Sequence, residues 1–288
     1  MRTIARSDLF FHTACAGLLA FSIVALSIAS LHPAWGLLAV PALAVYASLA
    51  LRRPLRRMRL VKQPIPSAWR EVLLREVRFY RGLDLNERQR FERNVRYFLA
   101  EQRIEGVEGL EITDEIRVLI AAAPAVLIHG QPEWELPRGH TILVYPGSFD
   151  EKFRYTRHGP FLGQMHGQGP LILSREALLE GWRAPGGDNV ALHEFAHLLD
   201  MRCARATGIP RMLNPVAAGA WLGLIHREMM KVAQHRSMLR AYAAENEAEF
   251  FAVAVEHFFE RPVELKARHP ELYGALSQFF NQDPAERQ

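Results

Sequence analysis

Hydrophobic and polar positions along the 288-residue chain fall into three successive textures. From Leu9 to Leu51 there are 43 residues without a single Asp, Glu, Lys or Arg, long enough for two helices of about 20 residues each. His32-Pro33 and Gly36 interrupt the run near its middle, so it predicts a helical hairpin over Phe11–Leu31 and Pro33–Leu51. After the linker Gln63-Pro64-Ile65-Pro66 the spacing becomes amphipathic. Trp69, Val72, Leu73, Val77 and Tyr80 predict a helix over Ser67–Arg81, and Phe91, Val95, Phe98 and Leu99 predict another over Asn86–Arg103. An alanine-rich third follows over Thr113–Leu127. Between Leu136 and Ser174 the texture is Gly, Pro and short aliphatic runs, and His140–Tyr145 and Leu171–Ser174 read as strands of a small sheet. Helical spacing returns over Asp188–Cys203, Pro215–His235 and Glu245–Glu260, with a last pair broken at Pro270. The fold class is therefore α+β: a mainly helical domain over residues 63–288 with a small sheet, preceded by a transmembrane hairpin with its basic flank over residues 1–62.

Charge sharpens the division. The formal +4 is distributed as +1 over residues 1–51, +6 over residues 52–62 and −3 over the remainder, where 27 basic side chains meet 30 acidic ones. The six basic groups are Arg52, Arg53, Arg56, Arg57, Arg59 and Lys62. With Arg2 and Arg6 at the other end and no Lys or Arg in the turn, they place both ends of the hairpin in the cytoplasm. They also suit anionic lipid headgroups. A cleavable signal peptide would begin in the same way, yet the second apolar segment and its arginines would still retain the downstream domain inside. A nucleic-acid-binding domain would spread its basic groups over one face of the fold, so nucleic acid is excluded as a partner. Two cysteines, Cys15 and Cys203, cannot staple a secreted domain and point to a reducing compartment. The expected location is a bacterial-type inner membrane with the larger domain on its cytoplasmic side.

Candidate chemistry lies in Asn189–Asp200, which contains His193-Glu194-Phe195-Ala196-His197. Residues four apart share a helix face, so both imidazoles can reach one tetrahedral Zn2+ while Glu194 leans over the open coordination position. Zinc lowers the pKa of its water to about 7, and a glutamate that takes the water's proton can deliver it to a leaving amine. These are the parts of metal-assisted amide hydrolysis. A third ligand has to come from elsewhere, and the Glu245–Glu260 segment offers two inward-facing acids, Glu249 and Glu256. Glu245 and Glu247 read as solvated acids of the first turn.

Four ordered blocks then carry a resemblance: GPLILS at 169–174, NVALHEFAHLLDM at 189–201, YAAENEAEFFAVAVEHFFERP at 242–262 and HPELYGALSQFFNQDP at 269–284. Through them residues 69–284 resemble the Mlc titration factor A family of zinc metallopeptidases. The resemblance implies a zincin-type domain, Glu249 as third ligand, weak peptidase activity on short peptides, and a role for Tyr242 in steadying the transition-state oxyanion. It also implies a transcriptional regulator as a partner. Ala243 and Glu247 stand where the family pattern has glycine and proline, and most members lack a membrane segment.

Several positions keep two readings. Asp200 shares the histidine face and either accepts a histidine N–H or ends the helix. Leu171–Ser174 is either the edge strand that pairs with extended substrate or a core strand. His166 is a loop residue near the cleft or a ligand, and His257 packs at the end of its helix. The function expected is that of a zinc-dependent peptidase acting on a peptide or protein substrate, with Glu194 as general base and His193, His197 and Glu249 as ligands, tethered at the cytoplasmic face of a membrane. The alternative is a tethered regulatory protein that uses a structural zinc and sequesters a cytoplasmic partner.

Overall fold

The computed structural model describes residues 39–61, 64–134, 141–148, 163–165, 169–184, 186–200, 207–209 and 215–287, with Cys15 and Gly17. The chain separates into two compact units, Met1–Pro64 and Ile65–Gln288. In the first, helix α1 (Ala39–Val61) continues beyond Leu51 through the arginines. Arg, Leu and Met are good helix formers, which carries the helix past the end of the apolar run. The expected first hairpin helix, Phe11–Leu31, and the turn after it lie outside the described residues. Among the described residues no helix is long and apolar enough to cross a membrane.

The second unit opens with α2 (Ser67–Glu76) and the single turn α3 (Arg78–Arg81). The one helix expected over Ser67–Arg81 is broken at Val77, whose backbone is extended and whose side chain is fully buried. Helix α4 (Leu85–Glu101) starts at a reciprocal capping box, in which Asp84 and Glu87 each accept the other's backbone N–H. Helix α5 (Asp114–Leu127) is capped by Thr113 and is buried from Val118 to Leu127. Its alanines allow α2 and α4 to pack closely on one side and the histidine-bearing helix on another.

Between and after these helices lie strands β1 (Arg103–Gly106), β2 (Thr141–Tyr145), β3 (Gly163–Met165) and β4 (Leu171–Ser174). They form one sheet in the order β1-β2-β4-β3. Strands β1, β2 and β4 run parallel, and β3 is antiparallel to β4. Strand β4 is thus internal, with all four residues buried. Of its two readings the core strand holds, and the edge-strand expectation is corrected: among the described residues β3, and not β4, stands at that edge of the sheet. The fold is α+β, mainly helical.

Ser174 ends β4 and caps α6 (Arg175–Arg183). Then come α7 (Val190–Asp200), α8 (Pro215–Ala233), a 3-10 turn at Ala241–Ala244, α9 (Glu247–Glu260), α10 (Pro262–Arg268) and α11 (Pro270–Phe280). Pro262 and Pro270 each open a helix, where a missing N–H costs nothing. Phe258, Phe259, Phe279 and Phe280 interlock α9 with α11, and Phe98 meets Phe195 edge-on at 5.4 Å to join α4 to α7. The final residues close on the beginning: Arg287 forks onto Glu87 at 2.8 and 3.0 Å, and Gln282 donates to the Val126 carbonyl at 3.1 Å.

Candidate metal centre

Helix α7 begins where Asn189 accepts the Leu192 N–H at 3.1 Å. Every residue from Ala191 to Asp200 is buried, so the apolar ones hold the helix between α5, α6 and α9 and press His193, Glu194 and His197 into the interior. The two imidazoles, four residues apart, lie edge to face with centroids 4.8 Å apart. Ahead of this helix Gly187 adopts φ +83°, and a Cβ there would sit 2.6 Å from the His257 ring. Only glycine lets this loop pass so close to α9.

Glu249 comes from the first turn of α9, whose N-cap Asn246 accepts the Glu249 N–H at 3.0 Å. Its Oε2 is 3.0 Å from His193 Nε2 and 3.5 Å from His197 Nε2, and the two Nε2 atoms are 3.2 Å apart. Zinc binds nitrogen and oxygen at about 2.0–2.2 Å, so tetrahedral ligands stand about 3.3 Å from one another. The observed triangle fits that requirement. Among the described residues these three form the cluster of metal-type ligands, their atoms all within 4.8 Å.

Glu256, one of the two candidates for third ligand, occupies a different place. Its Oε1 lies 2.8 Å from His193 Nδ1 and its Oε2 accepts the Asn189 N–H at 2.6 Å. Glu256 thus meets the Nδ1 side of His193 and turns Nε2 toward Glu249 and His197. Burial pushes the Glu256 carboxyl up, opposed by His193 and Arg240. His193 is pushed up to about 10: burial works against its charged form, and the hydrogen bonds with Glu249 and Glu256 outweigh it. Burial opposes ionisation of Glu249 too, yet His193 and His197 hold its carboxyl well below the usual range.

Glu194 is 4% exposed, and its Oε2 has no hydrogen-bond partner among the described residues. Burial raises its pKa. A buried carboxylate oxygen without a donor is costly unless something enters beside it, and an electropositive centre with a water would satisfy it. Tyr242, on the 3-10 turn, is 43% exposed, with its ring centroid 6.0 Å from that of His193. Burial, followed by neighbouring Glu249, raises the pKa of its phenol and keeps it protonated.

Asp200 resolves between its two readings. It accepts from Thr207 N at 2.7 Å, Gly208 N at 2.6 Å and Thr207 Oγ1 at 3.1 Å, and His197 Nδ1 is buried without a partner among the described residues. It ties the helix to the following loop and does not hold the histidine. His257 is buried, with Nδ1 2.9 Å from the Val253 carbonyl. Glu245 is exposed, and Glu247 pairs with His226 at 3.0 Å. His166 lies outside the described residues. Sequence spacing had no means of singling out Arg240, which donates to both Glu256 and Asp188.

Two histidines on one helix and a carboxylate from a second, gathered as a metal-type cluster, suit a metallopeptidase-like domain. Residues 52–281 match the family model described as glucose-regulated metallo-peptidase M90, and the chain belongs to that family. It is 32% identical over 223 residues to Mlc titration factor A of Salmonella agona (strain SL483), covering 72% of this chain and 83% of that protein. Against Mlc titration factor A of Escherichia coli (strain 55989 / EAEC) the identity is 30% over 236 residues, covering 76% and 87%. A Synechocystis protein, slr2042, is 30% identical over 246 residues, with 80% of this chain and 89% of that protein covered. Membership of a metallopeptidase family implies a metal, and the His193, His197 and Glu249 donors suit one.

Proposed function

We propose that residues 63–288 form a zinc-dependent peptidase that hydrolyses peptide and amide bonds, held at the cytoplasmic face of a bacterial-type inner membrane by a hairpin within residues 1–62. The observation that carries the catalytic part is the spacing of His193 Nε2, His197 Nε2 and Glu249 Oε2, together with a buried Glu194 Oε2 that has no partner among the described residues. His193, His197 and Glu249 would hold a zinc ion, which when bound would supply Lewis acidity toward the scissile carbonyl and lower the pKa of a water to about 7. Glu194 accepts the proton of the attacking water at Oε2 and passes it to the departing amine nitrogen, a task suited to a carboxyl whose pKa burial has raised. Tyr242 donates its phenolic hydrogen to the carbonyl oxygen as negative charge develops there. The uncharged Leu9–Leu51 run and the six basic residues after it support the anchor.

A second reading rests on the relatives, which are named for titrating a factor called Mlc. In it the chain binds a transcriptional regulator and uses its metal for structure. Glu194→Gln separates the two, because the amide keeps the side chain's shape and cannot take the proton. In the purified full-length chain, hydrolysis of chromogenic peptide amides should fall by about 10²–10⁴-fold with zinc content unchanged. Activity that survives the substitution undiminished would overturn the proposed mechanism. Wild-type protein no more active than its metal-free form would favour the regulatory reading.

A further inference from the structure

The geometry points to Arg240 as a positioning residue of the metal centre, acting through Glu256 on the imidazole of His193. This rests on the reading of His193, His197 and Glu249 as ligands. Glu256 lies at the centre of the argument. Its carboxylate is completely buried and takes three donors: His193 Nδ1, the Asn189 backbone N–H and Arg240 Nη2. The first of these is the group to be oriented, and the second is fixed by the start of α7. Arg240 is therefore the side chain that sets the carboxylate's rotation, and it shares Oε1 with the imidazole. A buried carboxylate also requires a compensating charge, and the guanidinium supplies it.

Arg240 is itself held firmly. Its other nitrogen, Nη1, donates to Asp188, two residues ahead of the α7 start, so the guanidinium bridges the loop before α7 and the middle of α9. The guanidinium fork suits two acceptors at once, which a lysine ammonium on a flexible stem does not reproduce. On the backbone side, Arg240 caps the 3-10 turn that carries Tyr242, and its carbonyl accepts the Ala243 N–H at 2.9 Å. The preceding loop is braced from below: Ser237 Oγ accepts the Leu239 N–H and sits 3.1 Å from His269 Nε2, while His269 Nδ1 lies 2.6 Å from buried Glu228. The chain thus delivers Arg240 to Glu256 from a fixed platform on the Tyr242 side of the centre.

The test is a double-substitution cycle read by zinc affinity, using competition with a chromogenic chelator on the full-length protein. Arg240→Met should weaken zinc binding by about 10- to 100-fold, the usual consequence of losing a partner behind a ligand histidine. Arg240→Lys should recover part of that loss. In a Glu256→Gln background Arg240→Met should cost less than about 3-fold further, because its route to the metal is already gone. Wild-type affinity in Arg240→Met, or an equal loss in both backgrounds, would overturn the proposal. Should Arg240→Met not fold, Arg240→Lys enters the same cycle with the same two criteria. Wild-type protein that binds no zinc would instead defeat the reading of the centre itself.

Discussion

The Asp200 carboxylate receives the Gly208 N–H at 2.6 Å, so the end of the histidine helix is fastened to the loop beyond it. Gly208 is a junction in three directions. Its carbonyl accepts the Trp221 indole N–H at 2.7 Å, and its Cα faces Glu247 at the start of α9 so closely that a Cβ would lie 2.5 Å from backbone atoms there. Its φ of +72° is also a conformation that side chains disfavour.

Gly208→Ala should therefore destabilise the protein by at least about 1–2 kcal/mol, through the strained backbone and the collision together. Because Glu247 begins the helix that carries Glu249, zinc affinity should fall as well. Urea unfolding and chelator competition check both, and a wild-type result in each would remove Gly208 from the support of the centre.

Glu249 and Glu256 address opposite nitrogens of the same His193 ring. Glu249→Ala should lose stoichiometric zinc, while Glu256→Ala should still fill at high zinc concentration with affinity reduced by about 10- to 100-fold. Metal analysis after equilibrium dialysis distinguishes them. Loss of zinc in Glu256→Ala with retention in Glu249→Ala would exchange the two roles.

Glu260 gives a pH signature. Burial pushes its carboxyl up to about 7, although the N–H groups of Gly187 and Asp188 favour the ionised form; the charge of Glu256 adds to the rise. A group whose folded pKa exceeds its unfolded one stabilises below the unfolded value and loses that contribution as pH rises through the folded value. Stability should thus decline between about pH 4.5 and 7, by up to about 3 kcal/mol from this residue. Glu260→Gln should remove that component, so that its stability relative to wild type grows with pH across the window. Parallel denaturant titrations at pH 5 and pH 8 provide the comparison, and a constant difference would show that Glu260 does not titrate there.

For the anchor, reporters fused before Met1 and after Gln288 should both register as cytoplasmic in a bacterial host. A periplasmic signal from the C-terminal fusion would defeat the proposed topology.

Local chemistry was the legible part of this molecule. Thr113 before an alanine-rich run announces α5, and the four-residue spacing of His193 and His197 places both rings on one helix face without any knowledge of the rest. What depends on distant pairing was not legible. Strand β1 hides in Arg103–Gly106, too short and too polar to show alternation, and acquires its identity from pairing with Thr141–Val144. Whether β4 is internal is decided by β3, which arrives antiparallel at its free side. Glu249 and Glu256 look alike in spacing because they lie seven residues apart on one face of α9; which side of the imidazole each meets depends on how α9 crosses α7. Arg240 belongs to no periodic element, and only the folded loop brings it to Glu256.

The clasp between Arg287 and Glu87 spans 200 positions, and Gln282 reaches 156 positions back to Val126. Contacts of such separation slow folding, since loop closure has to be completed before they contribute. During synthesis, α4 and α5 emerge long before the segments that complete their packing, and in that interval they expose apolar surface suited to a chaperone or to an aggregating neighbour. Residues 282–287 thus complete the packing of α4 and α5 late, and loss of their contacts would prolong the interval in which that surface is exposed.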